Sequence, residues 1–229
     1  MYRPYSRAMK YSFSVSLLLV FLFMAACTPG RERFTVHGNI SDPLASEPGS
    51  MVYLSGLEGP MDSVAVKNGK FVLYGDKDRT KLLVVSLRFK GRDALDDRFT
   101  ASFVPDSDTI GVDLDYPVAV TGSPLTDAIH AFREQVMDYY YEHDPALGDI
   151  ETGENEEQAI ADSLYKLRMD RIISLSKDTY LANTDNALGM QALSLLLSEL
   201  GREELEELVA QGGEFIRNDS HIKKIIESK

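Results

Sequence analysis

The sequence predicts an α+β chain: an N-terminal antiparallel β-sandwich or open barrel followed by a C-terminal helical region. Two observations predict it. Between residues 34 and 121 apolar side chains recur with a period of two, in short runs punctuated by Gly, Pro and Asp. From residue 123 onward the period lengthens to 3.6. Seven or eight short strands spaced in this way suit two packed sheets or a barrel.

The first strand is read from Phe34, Val36 and Ile40, which alternate with Thr35, His37 and Asn39. The pattern resumes at Met51, Val52, Tyr53 and Leu54 after the Pro-containing stretch 43–48. Val64 and Val66 lead into Lys67-Asn68-Gly69-Lys70 and then Phe71, Val72, Leu73 and Tyr74. Asn-Gly between such runs predicts a type I′ turn and a hairpin, because both central residues need positive φ. Residues 82–89 are almost continuously apolar, as expected of a central strand. Phe99, Ala101 and Phe103 then share one face, Pro105-Asp106-Ser107-Asp108 is turn chemistry, and Ile110, Val112 and Leu114 resume the alternation before 118–121.

Ser123 suits an N-cap and Pro124 a first helical residue, with Leu125, Ile129, Phe132, Val136 and Tyr140 on one stripe. An acidic loop, 144–157, precedes a second helix carrying Ile160, Leu164, Leu167 and Ile172. Asn183 to Asn186 caps a third over 188–200, and Gly201 ends it. Leu205, Leu208 and Val209 mark a short fourth, and Asn218-Asp219-Ser220 opens a last fragment.

Ahead of this cargo lies an addressing segment. Arg3, Arg7 and Lys10 form a positive region without acidic residues, and an apolar run over 17–27 ends at Cys27, the only cysteine in the chain. The run falls short of the roughly 20 apolar residues that a membrane helix needs, and Pro29 and Gly30 close it. Met24-Ala25-Ala26-Cys27 resembles the bacterial lipoprotein signal, although that pattern prefers Leu where Met24 stands. The resemblance implies that Cys27 is acylated and becomes the first residue of the mature protein, with the lipid bilayer as its partner. The alternative is an ordinary secretory peptide cleaved nearby, which would leave Cys27 as a free thiol. The expected organisation is thus a signal peptide over 1–26, a tether over 27–33, a β-rich domain over 34–122 and a helical region over 123–229.

Without residues 1–26 the chain keeps 21 basic and 36 acidic side chains, a net charge of −15. Such a chain repels phosphate backbones, so no nucleic-acid partner is expected. A single cysteine excludes an internal disulfide, and no Cys-x-x-Cys is present for dithiol chemistry.

A family resemblance follows from Val36-His37-Gly38-Asn39-Ile40, Val52-Tyr53-Leu54, Met61-Asp62-Ser63-Val64-Ala65-Val66, Asn68-Gly69-Lys70-Phe71 and the closing Thr121-Gly122-Ser123. Together they resemble the β-rich domain of unknown function 4369. That resemblance implies a lipoprotein of a Gram-negative bacterium, of a kind that commonly carries a thioredoxin-like domain after the β-rich one. Asn183-Thr184-Asp185-Asn186 with Leu188-Gly189 is similar to the helical spacer between the two. The sequence ends at Lys229 where a thioredoxin-like domain would follow, so no redox residue carries over.

Other chemistry finds little support. His130 and His143 fall 13 residues apart on one predicted helix, about 140° around its axis and ~20 Å along it, too far to share an ion. His37 and His221 are remote in sequence, and neither a metal nor a cofactor is expected. Asp106-x-Asp108 begins like a calcium loop, but Ile110 and Pro117 stand where oxygen ligands are needed. Glu203, Glu204, Glu206 and Glu207 read as a solvated face. Tyr139-Tyr140-Tyr141 cannot all face one core, so at least one ring is a candidate ligand or partner contact, against simple packing between helix and sheet. Nucleophile-elbow, dinucleotide, Walker A and His-Glu-x-x-His motifs are all absent from the sequence.

The expectation is therefore a non-enzymatic, lipid-anchored cell-envelope protein facing the periplasm, with a binding or interaction role. Two alternatives remain: an accessory acting in trans with a separate thioredoxin-like thiol:disulfide interchange protein, and a hydrolase assembled from scattered side chains.

Overall fold

The computed structural model describes residues 32–43, 49–89, 97–141 and 154–229. Cys27, the expected signal peptide and nearly all of the tether lie outside them. Among the described residues eight strands form two sheets. The first has the order β4-β1-β7-β8 and the second β3-β2-β5-β6. The strands are β1 (Arg33–Asn39), β2 (Met51–Gly56), β3 (Gly59–Ala65), β4 (Lys70–Asp76), β5 (Leu83–Arg88), β6 (Thr100–Phe103), β7 (Thr109–Asp113) and β8 (Ala119–Thr121). Six helices follow: α1 (Pro124–Tyr141), α2 (Glu154–Ala182), α3 (Ala187–Glu199), α4 (Arg202–Ala210), α5 (Glu214–Arg217) and α6 (Ser220–Glu227).

The α+β class stands, with two sheets that do not close. The alternating apolar positions face inward: Phe34, Val36, Val52, Leu54, Leu73, Val85, Leu87, Phe103, Ile110 and Val112 make one core between the sheets. Phe34 and Phe103 meet edge-on across it, ring centroids 5.7 Å apart, a geometry that the ring quadrupoles favour. β5 is interior to its sheet, as its apolar run predicted.

Two expectations about strand pairing need correction. The pairing is not wholly antiparallel, because β1 and β7 run parallel; both leave the same end of the sandwich, β7 after the return of β6. The Asn-Gly turn forms as expected, with Asn68 and Gly69 at φ 53° and 71° and Lys67 and Lys70 bonded to each other in both directions. Its strands nevertheless part, β3 to one sheet and β4 to the other. The Gly69 carbonyl accepts from Ile40 N–H at 2.8 Å, which ties the turn to the end of β1. Farther along, Asp62 of the edge strand β3 accepts Tyr74 N–H of β4 at 3.0 Å. One inward-turned carboxylate thus bridges the two sheet edges, a device that also guards an edge against pairing with another chain.

The helices build a second apolar cluster, with Leu125, Ile129, Phe132 and Val136 of α1, Met169, Ile172 and Tyr180 of α2, and Leu188, Leu193 and Leu196 of α3. In α2 the sequence stripe was misjudged: Leu167 is exposed, whereas Met169 and Tyr180 are buried. α2 also begins at Glu154, inside what was expected to be loop, and α5 is an additional short turn. Asn186 caps α3 as expected, accepting from Leu188 and Gly189 N–H. Its amide donates to Asn183 Oδ1 at 3.0 Å, and Asn183 donates to the Thr179 carbonyl.

At Gly189 the helix passes so near this cap that a Cβ would lie 1.9 Å from the Asn183 carbonyl oxygen. Alanine normally improves a helix interior by about 1 kcal/mol over glycine. Here Gly189→Ala should instead cost about 1–3 kcal/mol through overpacking against backbone, read as a lowered urea midpoint; a raised midpoint would contradict the close approach.

Candidate functional site

α1 presents the only residues that the sequence offered as ligand or partner contacts within the described structure. Its start is fixed by a buried polar clamp. Ser123 Oγ donates to the Val104 carbonyl at 2.9 Å, and Thr126 Oγ1 accepts Val104 N–H at 2.9 Å. The two hydroxyls lie 2.6 Å apart, and with the Ser123 proton committed to Val104, Thr126 is the donor between them. Asp106 adds a carboxylate at the helix start, accepting Leu125 N–H at 2.9 Å, where the helix dipole favours negative charge. The turn between β6 and β7 thus serves the fold itself: Asp106 caps α1, and Asp108 pairs with Lys77.

From this start the helical register decides the three tyrosines. Leu125, Ile129, Phe132 and Val136 are buried, and Tyr139 packs against the same cluster. Tyr140, expected on the buried stripe, is 41% exposed, and Tyr141 is 75% exposed. Met137, also exposed, stands three and four residues before them, so the three share one helical face. On α2, Tyr165 lies on the line of Met169, Ile172, Ser176 and Tyr180 by its spacing, yet it is exposed. α2 therefore carries its core stripe beyond the part of the bundle that covers it. Met137 and Tyr165 were missed by the sequence reading; the i, i+3, i+4 pattern on each helix was the signal.

Several other polar groups serve the architecture. Tyr180 is fully buried and donates to the Leu208 carbonyl at 2.9 Å; burial raises its pKa above the ordinary 10.0 and keeps the phenol a donor. Arg88 lies over the Tyr53 ring on the outer face of the second sheet, 5.2 Å from its centroid. At one sandwich end Asp115 accepts Ser41 N–H through both oxygens, at 2.8 and 2.9 Å, and Asp113 accepts from Asn39 and from Asp115 N–H.

His37, His130 and His221 are exposed on three separate elements. His143 lies outside the described residues. Among the described residues no group of three or more His, Cys, Asp or Glu is placed to hold a metal ion. Likewise, no described helix is long and apolar enough to cross a membrane. What this surface offers chemically is aromatic and apolar contact, with phenol groups for hydrogen bonds.

Comparison with known families bears on the sandwich. Residues 34–129 match the family model described as a domain of unknown function, DUF4369. This stretch is a DUF4369 domain. The match runs through all eight strands and into α1 as far as Ile129, so the DUF4369 domain includes the clamp at Ser123 and Thr126. No curated protein matches the chain.

The helices also rest on the 77–82 loop of the DUF4369 domain. Its Arg79 carbonyl accepts Ala187 N–H at 2.7 Å, and Asp78 N–H donates to the Pro105 carbonyl. Burial opposes ionisation of Asp78, but the Thr80 hydroxyl and N–H, aided by the Lys81 ammonium, outweigh it and hold the carboxyl below its ordinary 3.8. A depressed carboxylate stabilises the fold above pH 3.8 and loses that contribution as pH falls through its folded value. Asp78→Asn should therefore lower the thermal midpoint at neutral pH, a destabilisation of less than about 1 kcal/mol for a part-buried carboxyl that solvent still screens. The deficit should shrink below pH 3.8; a deficit that persists unchanged in acid would contradict the assignment.

Proposed function

We propose that the chain is a non-catalytic interaction module of the cell envelope, held at a membrane through acylated Cys27 and facing the periplasm. The observation that carries this reading is the apolar run over 17–27, flanked by Arg3, Arg7 and Lys10 and ending at the only cysteine. Alone in the chain, that cysteine has no disulfide partner and no second thiol. Several acyl chains on one residue give stable anchoring, because each buried methylene contributes about 0.8 kcal/mol and one chain is marginal. The module itself is the DUF4369 domain with its helices. Tyr140 and Tyr141, with Met137 beside them, supply the contact surface for an envelope partner.

Cys27→Ala in the full chain should abolish incorporation of a labelled fatty acid and release the protein from the membrane fraction; unchanged incorporation would defeat the anchoring reading. Tyr140→Ala combined with Tyr141→Ala should leave anchoring intact and weaken in-cell cross-linking to a partner about tenfold, the order expected for loss of two aromatic contacts.

The sequence resemblance to lipoproteins that carry a thioredoxin-like domain after the β-rich one motivates a second reading, an accessory to a separate thioredoxin-like thiol:disulfide interchange protein. Cross-linked partners that include a Cys-x-x-Cys protein would favour it. Their absence from an otherwise productive cross-linking experiment would count against it.

A further inference from the structure

The two ends of the sandwich expose different large side chains, Leu57 and Met61 at one and Tyr116 at the other, and only the chain's point of attachment tells them apart. β1 starts at Arg33, with Asp76 of β4 opposite it and Thr109 of β7 beside Thr35. The 77–82 loop leads to Leu83, opposite Phe103 of β6, and Val84 lies opposite Ser55 of β2. The β2–β3 turn therefore shares the Arg33 end. The helices join there too, through Val104 and Arg79. At the opposite end stand the Asn68-Gly69 turn and the turn after Asp113.

The β2–β3 turn is chemically anomalous. Gly56 and Gly59 pair across it, leaving Leu57 and Glu58 at the tip. Two-residue turns ordinarily take Asn, Asp or Gly, yet Leu57 is fully exposed here, and Met61 beside it is half exposed. Isolated apolar side chains on a surface are common. A leucine at the outermost point of a turn, with a methionine behind it, is instead suited to enter an apolar layer.

Chain length supplies the layer. This step rests on the proposed acylation of Cys27. Cys27 stands six positions before Arg33, and an extended chain of that length spans no more than roughly 20 Å. The seven residues of β1 cover a similar distance, about 23 Å, so the far end of the sandwich lies a full strand length beyond the Arg33 end. With a net charge of −15 after residues 1–26, the mature chain gains nothing from anionic lipid, and its contact with a bilayer has to be apolar.

We propose that the Arg33 end is the membrane-facing end, with Leu57 and Met61 seated in the headgroup–acyl boundary and the helices flanking them. Glu58 stays among the headgroups, and the Asn68-Gly69 end points away from the bilayer.

The full chain carrying Leu57→Cys, or Lys67→Cys as the far-end control, is recovered from bacterial membranes. It is labelled with a thiol-reactive fluorophore, Cys27 being blocked by its own lipid, and reconstituted into phosphatidylcholine vesicles with or without brominated acyl chains. Brominated lipid should quench the Leu57 label about twofold, as for a group a few ångströms into the boundary, and leave the Lys67 label unchanged. Equal quenching of both, or stronger quenching at Lys67, in membrane-bound protein would overturn the orientation alone. Recovery of the chain only from the soluble fraction would overturn the anchoring reading and this inference with it.

Discussion

Everything beyond the sandwich hangs on how α1 is attached to the end of β6. Val104 is a sheet-terminal residue whose side chain belongs to the helical cluster, while its N–H and carbonyl are both bonded to the first turn of α1. Ser123 and Thr126 are almost fully buried, and a buried hydroxyl without a partner costs about 1–3 kcal/mol. Hydroxyls that close a ring of bonds between strand and helix avoid that cost only when helix and strand keep this one arrangement. The clamp therefore does more than cap a helix: it fixes the direction in which the helical layer leaves the sheet.

Other contacts consolidate the same arrangement. The 77–82 loop receives the start of α3 on its Arg79 carbonyl, and Arg133 of α1 donates to Gln191 of α3 at 2.8 Å. Lys177 of α2 pairs with Glu204 of α4, and the terminal Lys229 ammonium reaches the Leu200 carbonyl at 2.8 Å. The Asn183–Asn186 cap and the close pass of Gly189 lock α2 to α3.

Much of this was legible in the sequence because the signals were local. Period-two alternation, Asn68-Gly69, Ser123-Pro124 and Asn186 each act within a few residues, and each element formed where they placed it. The family resemblance extended the same local patterns. What was not legible depended on neighbours far along the chain. Whether β3 and β4 stay partners is decided by Ile40 capturing the turn and by Asp62 reaching across an edge, and the parallel pairing of β1 with β7 by which end β6 returns to. The exposure of Tyr140, Tyr165 and Leu167 depends on where neighbouring helices stop covering α1 and α2. A helical period fixes relative angles on a cylinder but not the partner that covers them. Leu57 was passed over for the opposite reason: one apolar residue between two short runs has no periodicity, and only the turn geometry makes its exposure meaningful.

The clamp makes a definite claim about cooperativity, namely that sandwich and helices open as one structure. Native-state hydrogen exchange of the intact protein tests it, by comparing amides within β1 and β7 with amides within α3. Shared opening predicts that the most protected amides of both regions report the same free energy and the same dependence on denaturant. Helical amides that exchange through a separate opening, several kcal/mol below that of the strands, would contradict it.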